Sequence, residues 1–113
     1  MGKEFFNFTE GPWEEIGGGQ KRRIFHMNNL TAMLMRMPKG TVTDPSHKHP
    51  QEQVAVILNG RAKMYVGTLV KELGPGEGYR IASNVPHHIE ILEDAVLIDI
   101  FSPKRDDLKA TEP

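Results

Sequence analysis

The sequence predicts an all-β domain, a small barrel or sandwich of short antiparallel strands. Three observations carry this expectation. Apolar runs alternate with polar residues at period two, turn residues recur every several positions, and no stretch shows the period of an amphipathic helix. At 113 residues with 38% hydrophobic content, the chain reads as one domain over 1–113 with one modest core.

Phe5 to Phe8 is a short aromatic segment closed by Thr9-Glu10-Gly11-Pro12, so residues 1–11 read as an edge strand or an arm laid on a partner. Trp13 to Ile16 and Lys21 to His26 are extended runs about Gly17-Gly18-Gly19, the pattern of a hairpin. A glycine triplet can cradle a phosphate, but here no helix follows it. Asn28-Asn29 turns the chain into Leu30 to Met37. There Thr31, Met33, Met35 and Met37 share one face, with Ala32, Leu34 and Arg36 on the other. Either face could be inside, and the methionines suit core filling or the apolar part of a ligand pocket.

Pro38-Lys39-Gly40 turns the chain again. The run that follows Pro50 points Gln53, Ala55 and Ile57 inward and Val54, Val56 and Leu58 outward, then meets a turn at Gly60. Arg61 to Val66 and Thr68 to Leu73 flank a tight connection at Gly67. Leu73-Gly74-Pro75-Gly76-Glu77-Gly78 leads into Tyr79-Arg80-Ile81. Beyond it come a strand over His87 to Leu92, a turn at Glu93-Asp94 and a last strand over Ala95 to Phe101. Ser102-Pro103 ends the sheet, leaving 103–113 as a polar tail or one short helical turn.

Composition removes several function classes. A formal net charge of -1 with no basic stripe speaks against nucleic acid and anionic membrane as partners. The chain has no cysteine, hence no disulfide framework, thiolate metal site or cysteine nucleophile. No long apolar run follows Met1-Gly2-Lys3-Glu4-Phe5-Phe6, so neither a signal peptide nor a membrane helix is expected, and the expected location is cytoplasmic. The outward set Val54, Val56 and Leu58 would leave an apolar face uncovered on so small a barrel, which predicts a homodimer, with Phe5, Phe6 and Phe8 available as cover.

The chemistry concentrates around Ser46-His47-Lys48-His49-Pro50. On an extended segment His47 and His49 project to one side, and Gln53 begins the next inward set. Ser83-Asn84-Val85-Pro86-His87-His88 delivers His87 to the start of another strand. An isolated His-x-His is common on solvated loops and weak by itself; the order of strands and turns after it, which collects ligands at one end of a barrel, strengthens it. Three imidazoles and an amide oxygen suit one divalent transition ion with open positions, and Zn, Ni, Mn and Fe all fit.

The last strand places Leu97, Asp99 and Phe101 on one face and Val96, Ile98 and Ile100 on the other, so a carboxylate falls on an apolar face whichever way it turns. Such a group needs a partner or a function: Asp99 is a buried salt-bridge member, a carboxylate accepting backbone N–H bonds at the sheet edge, or a group facing the metal-bearing cavity as acid, base or substrate-hydroxyl acceptor. Arg105, just past the strand, reads by itself as a solvated surface charge, although its fork of donors would suit a carboxylate ligand at a barrel mouth.

Gly40 through Gly60 resembles the first cupin motif, with His47, His49, Gln53 and Gly60 at its His, His, acid-or-amide and Gly positions. Gly76 through His87 resembles the second, with Ala82 in place of Pro and Asn84 in place of Gly; beyond it, Ile91 stands where Asn is frequent. Asn tolerates positive φ better than other non-Gly residues, so the change at Asn84 is mild. Trp13 to Arg22 and Asp99 to Arg105 are similar to the KdgF branch of the cupins. This resemblance implies a single-domain double-stranded β-helix, the jelly-roll barrel, with metal on His47, His49, Gln53 and His87. It also implies substrate handling by Asp99 and Arg105, and Phe101 on the cavity wall. The implied activity is an isomerase-type ring opening of a small carboxylated sugar, from cyclic 4,5-unsaturated uronates of pectin and alginate to linear 4-deoxy-5-keto-uronates. It carries no role for Gln51 or for His88, which strand alternation turns away from His87 toward a surface or interface. Two other readings share the fold: a cupin dioxygenase using iron on a small organic substrate, against which the Gln53 amide speaks, and a non-catalytic sugar-acid-binding cupin.

Overall fold

The computed structural model describes residues 4–111. Its strands are β1 (Glu14–Glu15), β2 (Lys21–His26), β3 (Thr31–Met37), β4 (Glu52–Val66), β5 (Leu69–Leu73), β6 (Gly78–Ile81) and β7 (His87–Ser102). All pair antiparallel in the order β1-β2-β3-β7-β4-β5, with β6 added to β4. No helix forms among the described residues, and none is long and apolar enough to cross a membrane.

The organising feature is the β4–β7 pair, which runs from Glu52↔Ser102 to Val66↔His87. Here the structure corrects two sequence expectations. Gly60 and Glu93-Asp94 are not turns between separate strands; both strands continue through them, and the register shifts between Ile57 and Ala62 make an irregular, bulged bend. Gly60 takes φ +85° and lies against the carbonyl oxygen of Asp94, which leaves no room for a side chain. The signal in the sequence was real, since a left-handed glycine serves a bulge as readily as a turn.

The bend folds the ribbon back on itself. Gln53 and the partner of His87 on β4, Val66, are separated by roughly 40–45 Å of extended chain at ~3.3 Å per residue. Nevertheless, His87 N–H donates to the His47 carbonyl at 2.9 Å and Asn84 N–H to the His49 carbonyl at 2.8 Å. Between the halves lies the core, with Met35, Ile57, Met64, Ile89, Ile91 and Leu97 packed together. The methionine row of β3 is therefore the inner face, while Leu34 and Arg23 are buried on the outer one.

The segment before β1 covers that outer face on its own chain. Phe6 stacks on Phe25 at 4.3 Å and Phe8 meets it edge-on at 5.2 Å. Arg23, 1% exposed, donates to the carbonyls of Asn7, Glu10 and Pro12, so carbonyl oxygens stand where a counter-ion would be expected. At the other end, residues 103–111 return to β2. Leu108 carbonyl lies 2.8 Å from His26 Nε2, and Thr111 N–H donates to the Ile24 carbonyl at 2.9 Å.

The bend makes a direct prediction. Gly60→Ala adds a methyl group against Asp94 and imposes a left-handed φ on alanine, and should cost about 3 kcal/mol or more. Thermal denaturation should then show a melting temperature about 10 °C or more below that of the parent protein.

Candidate metal centre and cavity

The His47-x-His49 pair does not sit on a strand, as its alternation suggested. It lies in an irregular loop over 38–51 that runs beside the first half of β7, tied by Gly40 N–H to Ile91 O, Thr43 N–H to Ile89 O and the Val42↔Glu90 bridge. The outcome for the side chains is the one expected of an extended pair. The ring centroids of His47, His49 and His87 lie 4.8–5.3 Å apart, and one nitrogen from each falls within 4.8 Å of the others.

Hydrogen bonding decides what these nitrogens present. His49 Nδ1 is 3.0 Å from the Gln51 carbonyl and His87 Nδ1 is 2.9 Å from the Val85 carbonyl, so in neutral rings both Nδ1 atoms carry the proton and both Nε2 atoms are bare. Gln53 donates its amide to Asp99 Oδ1 at 2.7 Å, which turns its oxygen toward His49 Nε2 at 2.9 Å. A lone pair thus meets a lone pair at His49 and Gln53, an arrangement that a cation between them resolves. Burial lowers the pKa of all three histidines, His87 to about 4; the Arg105 charge adds to it at each, and neighbouring rings add to it at His47 and His87. Neutral imidazoles converging with an amide oxygen fit a divalent transition ion.

Cross-strand register builds the cavity wall in rows. His26, Thr31, Phe101, Gln53 and Ile81 form one inward row, and Ile24, Met33, Asp99, Ala55 and Tyr79 form the next. Asp99 is 3% exposed and has no salt bridge among the described residues. Its Oδ1 accepts from Gln53 and from the Tyr79 hydroxyl at 3.4 Å. Burial pushes its carboxyl up to about 6, opposed by these two donors and by the Arg105 charge.

Arg105 is not the solvated charge its place in the sequence suggests. It is 8% exposed, its N–H donates to Thr31 Oγ1 at 2.9 Å, and its guanidinium lies 4.8 Å over the Phe101 ring. Asp107 grips Nε and one terminal nitrogen at 2.9 and 2.7 Å, and this pairing holds the Asp107 carboxyl below its usual range. His88 alternates away from His87 as expected and stacks on Tyr65 at 4.0 Å, yet its edge also borders the cavity. The cavity, about 240 Å³, is lined by His47, Gln53, His87, Asp99, Phe101 and Arg105 together with the β3 methionines.

Tyr79, Asp107 and Gln51 escaped the sequence reading as parts of this site. Tyr79 shares a face with Ile81, a local signal, but its place beside Asp99 depends on two cross-strand registers. Gln51 supplies the carbonyl for His49 and donates its amide to the Lys104 carbonyl at 3.2 Å, so it joins the metal loop to the Arg105 segment.

The family model described as "Cupin domain" matches residues 33–101, more than half of the chain. "Pectin degradation protein KdgF" of Dickeya dadantii (strain 3937) is 35% identical over 108 residues, spanning 93% of this chain and 97% of that protein. The chain is a cupin of the KdgF branch. Among solved structures, KdgF from Halomonas sp. superposes with a TM-score of 0.85 at 30% identity, over 91% of this chain and 96% of that one. An RmlC-like cupin from Shewanella frigidimarina gives 0.86 at 29% identity, over 93% and 95%. Oxalate decarboxylase of Bacillus subtilis, at 22% identity and a TM-score of 0.75 over 87% of this chain and 29% of that one, shares the cupin fold alone.

The donor set predicts one divalent ion per chain, measured by elemental analysis of purified protein. His87→Ala and the double change His47→Ala, His49→Ala should each lose most of it; wild-type metal content in the double variant would refute the site. The three depressed histidines also fix a sign for the chelated, metal-free protein. At these three rings the unfolded state binds more protons than the folded one below the ordinary histidine value near 6.5; Asp99, shifted the other way, offsets only part of this, so melting temperature should fall as pH drops from about 6.5 to 4.

Proposed function

We propose that the chain is a metal-dependent enzyme of pectin and alginate breakdown that opens cyclic 4,5-unsaturated uronate monosaccharides to linear 4-deoxy-5-keto-uronates. The observation that carries this reading is a buried carboxyl of raised pKa, Asp99, in one cavity with a metal donor set and a buried guanidinium, in a chain similar to KdgF throughout its length.

A divalent ion on His47, His49, Gln53 and His87 would supply a Lewis acid to substrate oxygens. Arg105 offers its remaining terminal nitrogen, Nη1, to the uronate carboxylate, while Asp107 holds the opposite edge of the fork. Phe101, stacked beneath that fork and 5.4 Å from His49, gives the sugar an apolar wall. Asp99 accepts the proton of the anomeric hydroxyl. As the C1 carbonyl forms, the C1–ring oxygen bond breaks and its electron pair stays on the oxygen of C5. Asp99 then returns a proton to C4 as the enol becomes the 5-ketone, and the atoms of substrate and product balance with no redox change. A carboxyl with a pKa about 6 is mostly ionised at neutral pH yet remains a useful acid once protonated. General acid–base work of about 10²–10⁴-fold is sufficient for a reaction whose uncatalysed form is already feasible.

We also propose a homodimer through the outer face of β4 and β7. Phe6 and Phe8 pack on the chain's own Phe25 and do not cover this face. Val54, Val56, Leu58 and Ile100 are 54%, 38%, 42% and 38% exposed, and Val54 and Ile100 stand opposite one another. A contiguous apolar sheet face of this kind favours a self-complementary contact.

Asp99→Asn separates chemistry from structure. Because its folded pKa is raised, any stability from protonated Asp99 is present below about 3.8 and lost as pH rises through about 6, so the metal-free variant should melt no lower than the parent at pH 7.5. A structural ion pair would instead cost ~3–5 kcal/mol when broken. The variant should keep its metal and lose ring opening by ~10²-fold or more, followed by NMR of the linear product from unsaturated galacturonate or mannuronate. Arg105→Ala should chiefly raise KM. A wild-type rate in Asp99→Asn would move the sugar-binding reading to first place.

Light scattering at micromolar concentration should give the dimer mass for the parent protein and the monomer mass for Val56→Glu. A monomeric parent would remove the interface.

A further inference from the structure

The cavity holds a second guanidinium that the reaction above does not use. Arg22 lies on the inward face of β2, in the row Arg22, Met35, Leu97, Ile57, and lines the same cavity as Asp99. Its side chain is 22% exposed, and its Nε donates to Glu14 Oε1 at 2.7 Å from the directly opposite position on β1. That bond fixes the back edge of the fork. The two terminal nitrogens have no hydrogen-bond partner among the described residues.

Two cations therefore face one cavity from different levels. Arg105 is anchored by its backbone N–H to Thr31 and sets its guanidinium over Phe101, in the row of Thr31 and Gln53, whereas Arg22 stands beside Met35, four residues further along β3. Four residues of strand are about 13 Å at the backbone. The row carrying Asp99 lies midway between them. A side chain present only to pack among methionines would need no charge, and a cation kept only for its ion pair with Glu14 would not need to face the cavity.

We propose that Arg22, oriented by Glu14, is a second oxygen-binding subsite of the cavity, holding the hydroxyl-rich end of a sugar acid opposite the end held by Arg105. This rests on the sugar-acid reading above and sharpens it: the preferred ligand is polar at both ends and apolar along the flank that meets Met33 and Met35. For a uronate with its carboxylate at Arg105 and its anomeric hydroxyl at Asp99, the groups at Arg22 are the hydroxyl oxygens across the ring from the carboxylate, on C2 and C3. Terminal N–H donors there hold those oxygens and so set the ring with C1 at Asp99. Nothing except hydrogen bonds forms at Arg22, so no further reactant is required.

Calorimetric binding of galacturonate, a saturated uronate that cannot undergo the reaction, to the metal-loaded full chain tests this directly. Arg22→Met should bind the probe at least ten-fold more weakly than the parent, with unchanged metal content. Arg22→Lys, which keeps the charge without the fork, should fall between, and parent affinity should weaken with added salt. Glu14→Gln keeps a hydrogen-bonding oxygen and guards against a variant that fails to fold. It should retain the parent's melting temperature within a few degrees and lose a smaller part of the affinity. Binding by Arg22→Met within two-fold of the parent overturns the subsite, as does failure of the parent to bind the probe. Ring opening is read separately with the unsaturated substrate. Turnover indifferent to Arg22 would sink the subsite and leave the enzyme reading standing; Arg22-dependent binding without turnover would do the reverse.

Discussion

Everything in this molecule depends on one ribbon that bends in the middle. β4 and β7 pair along nearly their whole lengths, and the bend at Gly60 against Asp94 brings the two ends of the pair together. Gln53, Asp99 and Phe101 belong to one end of the ribbon and His87 to the other, so the candidate metal donors Gln53 and His87 lie far apart along the chain and close in space. Burying the apolar residues between the halves supplies the driving force, at roughly 25 cal/mol per Å² of apolar surface. The polar donors gather where those halves meet, which places them in partial burial without surrounding them with hydrocarbon.

This geometry explains how a carboxyl with no salt bridge is tolerated on an apolar strand. Asp99 is held by one amide and one phenol, and both donate to the same oxygen. The second oxygen is left without a donor among the described residues. Gln53 also reaches His49, so a single amide side chain sets the direction of the carboxyl and that of the lone pairs facing the metal position. A glutamate at that position would put a like charge beside Asp99; the amide avoids it and keeps the carboxyl near a useful pKa.

Much of this was legible in the sequence because it is local. Alternation in Gln53-Val54-Ala55-Val56-Ile57 and Leu97-Ile98-Asp99-Ile100-Phe101 assigns faces without reference to anything distant, and Asn84 adopts φ 62° at the place where a glycine is usual. Two kinds of information were not local. Gly60 and Glu93-Asp94 carry the same chemistry whether a strand stops or only bends, and the distinction comes from each strand having the other as a partner through the bend. Tyr79, Arg105 and Asp107 acquire their surroundings from register and from the return of the last residues to β2. A charged residue in a Pro-Lys-Arg-Asp-Asp stretch has no sequence mark of being 8% exposed.

The return of residues 103–111 has a dynamic consequence. That segment contributes no strand and is fastened to the barrel by a handful of hydrogen bonds, at Thr31, at His26, at Ile24 and at Gln51. Local opening of such a segment costs far less than opening the β4–β7 ribbon. Arg105 therefore rides on one of the most weakly anchored parts of the chain, while Gln53, His87 and Asp99 are set by the β4–β7 ribbon. Under the proposed function, a ligand would enter or leave by releasing its carboxylate from Arg105 together with the adjoining wall, while Gln53, His87 and Asp99 stay in register.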